Sequence, residues 1–454
     1  MSMARWLGGA VARAQIDTIT IADTWATNDT LVVAVGTKSI TLTIGSTVDT
    51  TTIAENLQRL LAAATVAAAA LDTGYSADYA GGQILEMTEF TATQDTNVVT
   101  LTGNSAGVPF TVVVTETTAG DGTATGATAT EATGPYHFDN PDNWEAGTVP
   151  ADGDTLLFDT GANSLKYALD YPATNTNRHA FTRTTDYSGT IGLPEINTSN
   201  YPEYRDRHLE FYDGVTSSII HFKKGAASAT NNGATRILIE SSTEVAGIYG
   251  DADALANGST PSLEIVGGAV TDVRIISGHV KIGSETISGG DLEITGSIKM
   301  GRAGGSENDC YFDLVNAALP GTEDIEQNSG VVEYRTALNY TGGGTGTWTI
   351  NGGVARTHSS TVARTLVMNG GTIYPLRGTS AAVYLNGGAT LTMENSIAGG
   401  SSKDFYMASG STFKDPRGLI TASDFFTVGC GLPEVTIDGP TNVKYTVGTG
   451  ASIS

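Results

Sequence analysis

The sequence Thr349-Ile350-Asn351-Gly352-Gly353 is the first of several copies of one short pattern in the last third of the chain. The first glycines of the copies lie 18, 17, 23 and 19 residues apart. A short apolar run, a glycine turn and a second short run, repeated about every twenty residues, is typical of a β-solenoid. The other copies are Val367-Met368-Asn369-Gly370-Gly371, Tyr384-Leu385-Asn386-Gly387-Gly388, and the looser Tyr406-Met407-Ala408-Ser409-Gly410 and Thr427-Val428-Gly429-Cys430-Gly431.

The repeat predicts both the fold and the role of its glycines. Each turn of a solenoid buries its inward side chains only by stacking on the turns above and below it. Gly352, Gly370 and Gly387 are expected at corners, where a left-handed or bulged backbone leaves no room for a side chain. We therefore predict a mainly β chain that contains a right-handed parallel β-helix over residues 135–454.

The start of this β-helix carries a different pattern, which predicts a cap. Trp144 is followed by Pro150 in a turn, and Gly153 and Asp154 precede an apolar run. The last apolar layer of a solenoid would face water without a cover. We expect residues near 135–160 to supply that cover, with Trp144 packed over the first coil.

The residues before the predicted β-helix divide into three segments. Residues 1–14 form an arm, in which Trp6 and Leu7 are candidate anchors, either on a neighbouring subunit or on the same chain. Residues 15–116 combine strand patterns with an apolar stripe that predicts a helix from Thr52 to about Leu71, so we expect a small α+β domain. Residues 117–134 are low in complexity and predict a linker or a loosely held extended strand.

Composition limits the classes of partner. The chain has 454 residues and a formal net charge of −24, so it is expected to repel nucleic acid and anionic membranes. It contains two cysteines, Cys310 and Cys430, whose pairing the spacing leaves open, and its six histidines are scattered. We expect no metal, no cofactor and no membrane-spanning segment.

One acidic stretch is the best candidate for chemistry. Asp206, Glu210 and Asp213 follow Glu203 among tyrosines and arginines. Glycosidases use such carboxylate pairs, with one acid donating a proton and the other activating water or attacking the sugar. The alternative is a polar loop with ion pairs on the flank of the β-helix, and it is the interpretation that we favour. The sequence thus predicts a protein that is not an enzyme.

Several short motifs resemble parts of tailed-bacteriophage virion proteins. The N-terminal ones are Arg5-Trp6-Leu7-Gly8-Gly9, Ala14-Gln15-Ile16-Asp17-Thr18-Ile19-Thr20 and Gly107-Val108-Pro109-Phe110-Thr111. The Asn143-Trp144, Pro150 and Gly153-Asp154 residues and the Gly-Gly coils are similar to β-helical phage fibres, tailspikes and related surface proteins.

This resemblance implies a structural protein on the virion surface, assembled in the host cytoplasm. Its N-terminal domain would dock on other virion proteins of the capsid or tail, and its β-helix would project outward. Such rods are commonly homotrimers, and a host surface glycan is a further expected contact. Two alternatives remain open at this point: a tailspike polysaccharide depolymerase, and a secreted bacterial adhesin whose N-terminus would be processed.

Overall fold

The structure is a computed structural model of the chain, and it describes a defined set of residues. The first half is described almost continuously, and the second half is described mainly in its strands. The described ranges are 3–63, 69–80, 84–151, 153–170, 180–211, 219–224, 233–239, 244–252, 261–283, 292–305, 310–315, 319–320, 324–334, 340–341, 346–357, 365–374, 382–386, 389–392, 404–407, 412–414, 425–428, 436–438 and 445–447.

In the described part of the first 130 residues the structure has an α-helix and nine strands. Short 3-10 helices lie at Leu85–Glu89 and, just after this part, at Pro141–Asn143. The regular elements are β1 (Met3–Arg5), β2 (Ile16–Ala22), β3 (Thr30–Val35), β4 (Lys38–Thr43), α1 (Thr50–Ala62), β5 (Ser76–Ala80), β6 (Phe90–Asp95), β7 (Val98–Gly103), β8 (Val113–Thr117) and β9 (Thr123–Thr130).

Strands β2 to β9 form two four-stranded antiparallel sheets, which we call the N-terminal module. The sheet orders are β6-β7-β2-β9 and β5-β4-β3-β8. Helix α1 packs on β6, β2 and β7 through its apolar stripe, in which Ile53, Leu57, Leu60 and Leu61 are buried. Full burial of each of these side chains contributes roughly 1.5–3 kcal/mol, so the stripe fixes the helix on the sheets.

The helix differs from its sequence prediction at both ends. Asp49, rather than Thr52, is the N-cap, and its carboxylate accepts a hydrogen bond of 2.9 Å from the backbone N–H of Thr52. This bond satisfies one of the amide groups that a helix start leaves without a partner. The helix ends at Ala62, well before Leu71.

The low-complexity segment at 117–134 contains a strand and is not simply a linker. Strand β9 pairs antiparallel with β2 from Thr130 to Thr123, which makes it part of the N-terminal module. Most of its side chains are exposed, because small Thr, Ala and Gly residues offer little apolar surface to bury. Of the two alternatives for this segment, the extended strand is the observed one.

The remaining strands are short and follow one another to the end of the chain. They are β10 (Thr155–Phe158), β11 (Ala180–Arg183), β12 (Leu209–Phe211), β13 (Ile219–Lys224), β14 (Thr235–Ile239), β15 (Glu244–Ala252), β16 (Leu263–Val266), β17 (Ala269–Ile282), β18 (Glu293–Ile294), β19 (Ile298–Met300), β20 (Cys310–Leu314), β21 (Leu319–Pro320), β22 (Ile325–Gln327), β23 (Val331–Tyr334), β24 (Tyr340–Thr341), β25 (Thr347–Ile350), β26 (Val354–Thr357), β27 (Thr365–Met368), β28 (Thr372–Tyr374), β29 (Ala382–Leu385), β30 (Thr390–Thr392), β31 (Asp404–Met407), β32 (Thr412–Lys414), β33 (Phe425–Val428), β34 (Thr436–Asp438) and β35 (Tyr445–Val447).

These strands pair in parallel. Apart from β21 and β24, which pair with each other, they join β1 in one curled sheet, which we call the parallel sheet. In its later part each strand pairs with the next but one: β25 with β27, and β26 with β28. The register places Trp348 beside Leu366, and Phe312 beside Val332, so buried apolar side chains stack on one another. The prediction of a mainly β chain is confirmed.

The two glycines of each Asn-Gly-Gly turn have different roles. Gly353 and Gly371 have φ angles of +80° and +74°, a left-handed conformation that glycine adopts without strain. Gly352 and Gly370 instead lie against the preceding turn, where a Cβ atom would come within 2.7 Å and 2.8 Å of an asparagine carbonyl oxygen. Gly387 lies outside the described residues.

The asparagines of the same turns form a ladder along the outside of the sheet. Asn351 Nδ2 donates to Asn328 Oδ1 at 2.8 Å, and Asn369 Nδ2 donates to Asn351 Oδ1 at 2.6 Å. Asn386 Nδ2 continues the series by donating to Asn369 Oδ1, also at 2.6 Å. Each amide side chain both donates and accepts, so the ladder holds successive turns in one register.

Substituting Gly370 by Val should lower the melting temperature, because the new side chain would collide with the carbonyl of Asn351. The expected cost is about 1–3 kcal/mol of unfolding free energy. Thermal unfolding followed by circular dichroism measures it. Thr349→Val is the control, since it places the same β-branched side chain at a half-buried strand position that already holds a side chain of equal volume. An unchanged melting temperature for Gly370→Val would contradict the close approach at this turn.

Candidate functional site

The N-terminal arm is built into the first layer of the parallel sheet. Strand β1 pairs in parallel with β10, with Ala4 beside Leu156. Trp6 is 1% exposed, and its ring meets that of Trp144 edge to face at a centroid distance of 5.1 Å. The Trp6 Nε1–H donates to the carbonyl of Asn163 at 2.8 Å, so its polar group is satisfied.

This burial corrects the prediction that Trp6 is an assembly contact. A side chain enclosed by its own chain is not available to another subunit, and the intramolecular alternative is the observed one. Leu7, in contrast, is 45% exposed. Met3 and Val11 are also exposed, while the even-numbered residues from Ala4 to Ala10 are buried. The arm therefore presents an outer apolar stripe, which we define as Met3, Leu7 and Val11.

The predicted cap residues lie directly under the arm. Trp144 is buried, and its Nε1–H donates to the carbonyl of Phe138 at 2.8 Å. Pro150 is buried as well, and Gly153 takes a φ of +85°. The Asp154 carboxylate accepts from the backbone N–H of Ala151 at 3.0 Å, which closes the turn that leads into β10.

Asn143 connects this cap to the arm, a role that the sequence pattern did not predict. Its Nδ2 donates to the carbonyls of Gly134 and His137 at 2.8 Å and 2.7 Å. Its Oδ1 accepts a hydrogen bond from the backbone N–H of Ala10 at 2.9 Å. The backbone carbonyl of Asn143 accepts one from the backbone N–H of Leu7 at 2.7 Å. A fully buried amide with all these partners ties three chain segments together.

Arg205 is the centre of a second contact, between the parallel sheet and the N-terminal module. Its Nε and Nη2 bind the two oxygens of Glu203 at 2.7 Å and 3.0 Å. Its Nη2 and Nη1 also reach the two oxygens of Glu89, at 2.9 Å and 3.4 Å, and Nη1 donates to the carbonyl of Pro109 at 2.8 Å. All five N–H groups of the guanidinium are thus used, in the planar geometry that arginine favours.

Two tyrosines complete this group, which we call the junction cluster: Glu89, Tyr201, Glu203, Tyr204 and Arg205. The hydroxyls of Tyr201 and Tyr204 both donate to Glu89, the latter at 2.6 Å. Burial and the Glu89 carboxylate raise the pKa of both tyrosines, so they remain protonated donors. Tyr204 also packs on the β3–β4 turn, where a Cβ on Gly36 would lie 2.7 Å from the Tyr204 Cβ.

The candidate catalytic carboxylates lie in different surroundings. The Glu203 side chain is 1% exposed and bound to Arg205, so it belongs to the junction cluster. Asp206 is exposed, and its pKa is raised by partial burial and by the neighbouring charge of Asp170. Glu210 lies in β12 with its backbone N–H bonded to the carbonyl of Leu169. Asp213 lies outside the described residues.

A buried charged column lies next to the junction cluster, on strands β14, β16 and β17. Glu264 is its centre, with Lys281 Nζ at 3.0 Å, Arg236 Nε at 3.4 Å and His208 Nε2 at 3.9 Å. The strand register accounts for this arrangement, because Arg236 pairs with Glu264 and Glu264 pairs with Lys281. Burial lowers the pKa of His208 to about 4; the Glu264 carboxylate opposes this shift, and the cationic neighbours add to it.

The described part of the chain contains neither a metal-binding cluster nor a membrane-spanning helix. Among the described residues, no group of three or more His, Cys, Asp or Glu side chains is placed to hold a metal ion. In that same part of the chain, no helix has the length and apolar character needed to span a bilayer. Cys310 is buried in β20, and Cys430 lies outside the described ranges.

Replacing Arg205 by Met should strongly destabilise the protein, because two partly buried carboxylates would lose their shared cation. Removal of one member of a buried ion pair costs about 3–5 kcal/mol. Arg59→Met is a matched control, since Arg59 also binds two carboxylates, Glu55 and Asp72, but its side chain is 35% exposed. The control should cost about 1 kcal/mol or less. Denaturant unfolding compares them, and equal losses would contradict the role of Arg205.

Folding stability should fall as the pH is lowered from 6.5 toward 4, because of His208. Its pKa is about 4 in the folded chain and 6.5 as a free side chain, so the unfolded state binds more protons in this window. The contribution of this group is at most about 3 kcal/mol. His208→Gln should flatten the stability profile between these pH values, whereas His221→Gln, at an exposed site, should not. Unfolding midpoints measured across this pH range test the prediction. Parallel wild-type and His208→Gln profiles would contradict the assignment of the pH dependence to His208.

Comparison of this chain with protein-family profiles, curated proteins and solved structures found no match.

Proposed function

We propose that the protein is a non-enzymatic structural protein of a tailed-bacteriophage virion. In this proposal the N-terminal region docks on the particle, and the parallel sheet projects outward as a capsid decoration or as a tail fibre or spike. The observation that carries it is the junction cluster, which fixes a repetitive sheet rigidly to a separate small module. An attachment of this kind suits a protein whose task is to hold a surface in position.

The same proposal includes a more specific fold, in which a small α+β docking domain is followed by a right-handed parallel β-helix. Pairing of each strand with the next but one supports the β-helix, as does the repeat of about twenty residues. The asparagine ladder adds a third argument, because it requires equivalent turns to lie directly above one another. A helix packed on antiparallel strands supports the docking domain.

The partners in this proposal are other virion proteins of the capsid or tail and two further copies of the chain, as in homotrimeric phage rods. The location is the virion surface, with a host surface glycan as an external contact. The net charge of −24 supports an outward position, because it disfavours adhesion to packaged nucleic acid and to anionic membranes. Neither nucleic acid nor membrane is a proposed partner.

The outer apolar stripe of the arm is the proposed docking surface. Met3, Leu7 and Val11 are 63%, 45% and 85% exposed, although they stand in a segment that is otherwise packed into the chain. Exposed apolar side chains that recur along a segment held by its own chain are typical of protein contacts. The residue that the sequence singled out, Leu7, retains this role in the proposal, whereas Trp6 holds the arm in place from beneath.

The test is the incorporation of arm variants into particles from the native source. Antibody raised against residues 135–454 and labelled with gold should decorate virions under the electron microscope. The double variant Leu7→Asp, Val11→Asp should reduce the label on particles several-fold while the purified protein keeps its melting temperature. Val113→Asp, at a 54% exposed apolar residue of β8, is the control and should label like the wild type.

The position of the label separates the remaining functions. Label over the head indicates a capsid decoration protein, and label at the tail indicates a fibre or spike. In the second case, a glycan-cleavage assay that compares the wild type with Asp206→Asn and Glu210→Gln tests the depolymerase alternative. Absence of label from every particle would overturn the virion proposal and favour the adhesin. Normal incorporation of the double variant would overturn the docking role of the arm.

A further inference from the structure

A cavity of about 450 Å³ lies beside the junction cluster, between the N-terminal module and the parallel sheet. One wall comes from the module, through residues that include Glu89, Asn104 and Val108. The opposite wall comes from residues 164–167, 190–205 and Arg236. Its volume lies within the range of small-molecule sites, and it is walled by two separate parts of the fold, as such sites often are.

Lys166 contributes a positive charge to the lining of this cavity. The side chain is partly buried, and burial lowers the pKa of its amine. It lies over the ring of Tyr136, with Nζ 5.0 Å from the centroid. Within the described ranges, no carboxylate lies within ion-pair distance of Lys166. A partly buried ammonium group without a counter-ion is costly, and a bound anion would remove that cost.

The other charged groups of the lining are ion-paired, and one nitrogen of Arg236 lacks an acceptor. Glu89 and Glu203 also line the cavity, but both are bound to Arg205. Arg236 is a further cation in the lining; it is 4% exposed, and its Nη1 has no hydrogen-bond acceptor among the described residues. The Nε of Arg236 is bound to Glu264 at 3.4 Å, so the cationic groups of the lining without a described acceptor are the Lys166 amine and the Arg236 Nη1.

The uncharged groups of the lining suit a ligand that carries hydroxyls. Ser164, Thr190, Asn197, Thr198 and Ser199 place hydroxyl and amide groups along the wall from the parallel sheet. Such groups both donate and accept hydrogen bonds, as sugar hydroxyls do. Apolar surface comes from Val108, Leu193 and Pro194, against which the C–H faces of a sugar ring pack.

We propose that this cavity binds a small hydroxylated carboxylate, of the class of acidic monosaccharides such as hexuronates. The carboxylate lies at the amine of Lys166 and the hydroxyls lie along the Thr190–Ser199 wall. Neutral monosaccharides share the hydroxyls but leave the ammonium group unpaired, so they bind much more weakly. The site is independent of the arm and of any position on a virion.

Isothermal titration of the full-length protein tests the proposal, with D-glucuronate and D-galacturonate as probes and with D-glucose and D-galactose as neutral references. We expect saturable binding of at least one uronate, with its affinity reduced by added salt and at least tenfold above that of the matching neutral sugar. Lys166→Met should lower the affinity about tenfold or more. Lys299→Met, which makes the same change in net charge at an exposed lysine paired with Glu326, should leave it unchanged.

The negative outcomes are equally defined. Absence of binding by both uronates at millimolar concentration would overturn the proposal, and so would equal affinities for a uronate and its neutral reference. Uronate binding that survives in Lys166→Met, with circular dichroism showing a folded variant, would place the ligand elsewhere and overturn the assignment of this cavity. Binding of glucose 1-phosphate without uronate binding would replace the carboxylate by a phosphate and overturn the stated class.

Discussion

The structure depends on one constraint: a short strand of the parallel sheet cannot bury its apolar side alone. Trp348 becomes inaccessible only because Ile325 and Leu366 stand in register on either side of it. The first layer lacks such a neighbour from the regular repeat. Strand β1 and the pair Trp6–Trp144 supply it, so the N-terminal arm completes the core instead of extending freely from it.

The same constraint gives the junction cluster its importance. A sheet that grows by repetition has no intrinsic orientation toward another module, so a specific contact must set it. Arg205 supplies that contact through five directed hydrogen bonds, and the two carboxylates that it binds come from different parts of the fold. Such a network specifies geometry more than it adds stability, since the free-energy cost of desolvating its charges offsets much of their attraction.

The acidic stretch that begins at Glu203, which first suggested catalysis, contributes to the junction cluster. Glu203 and the two tyrosines hold the module, and the cavity beside them is left with the charge of Lys166. A structural role for the chain and a ligand site at its joint are compatible, because the residues that fix the joint also enclose the space next to it.

The sequence by itself determined the features that repeat locally: the mainly β character, the turns with their two glycines, and the apolar stripe of α1. Such patterns are readable because burial imposes a period on neighbouring residues. Only the tertiary structure decided that Trp6 is a core residue and that Glu89 meets Arg205, 116 positions away. Contacts of that separation leave no period in the sequence, since they depend on how whole sheets are placed against each other.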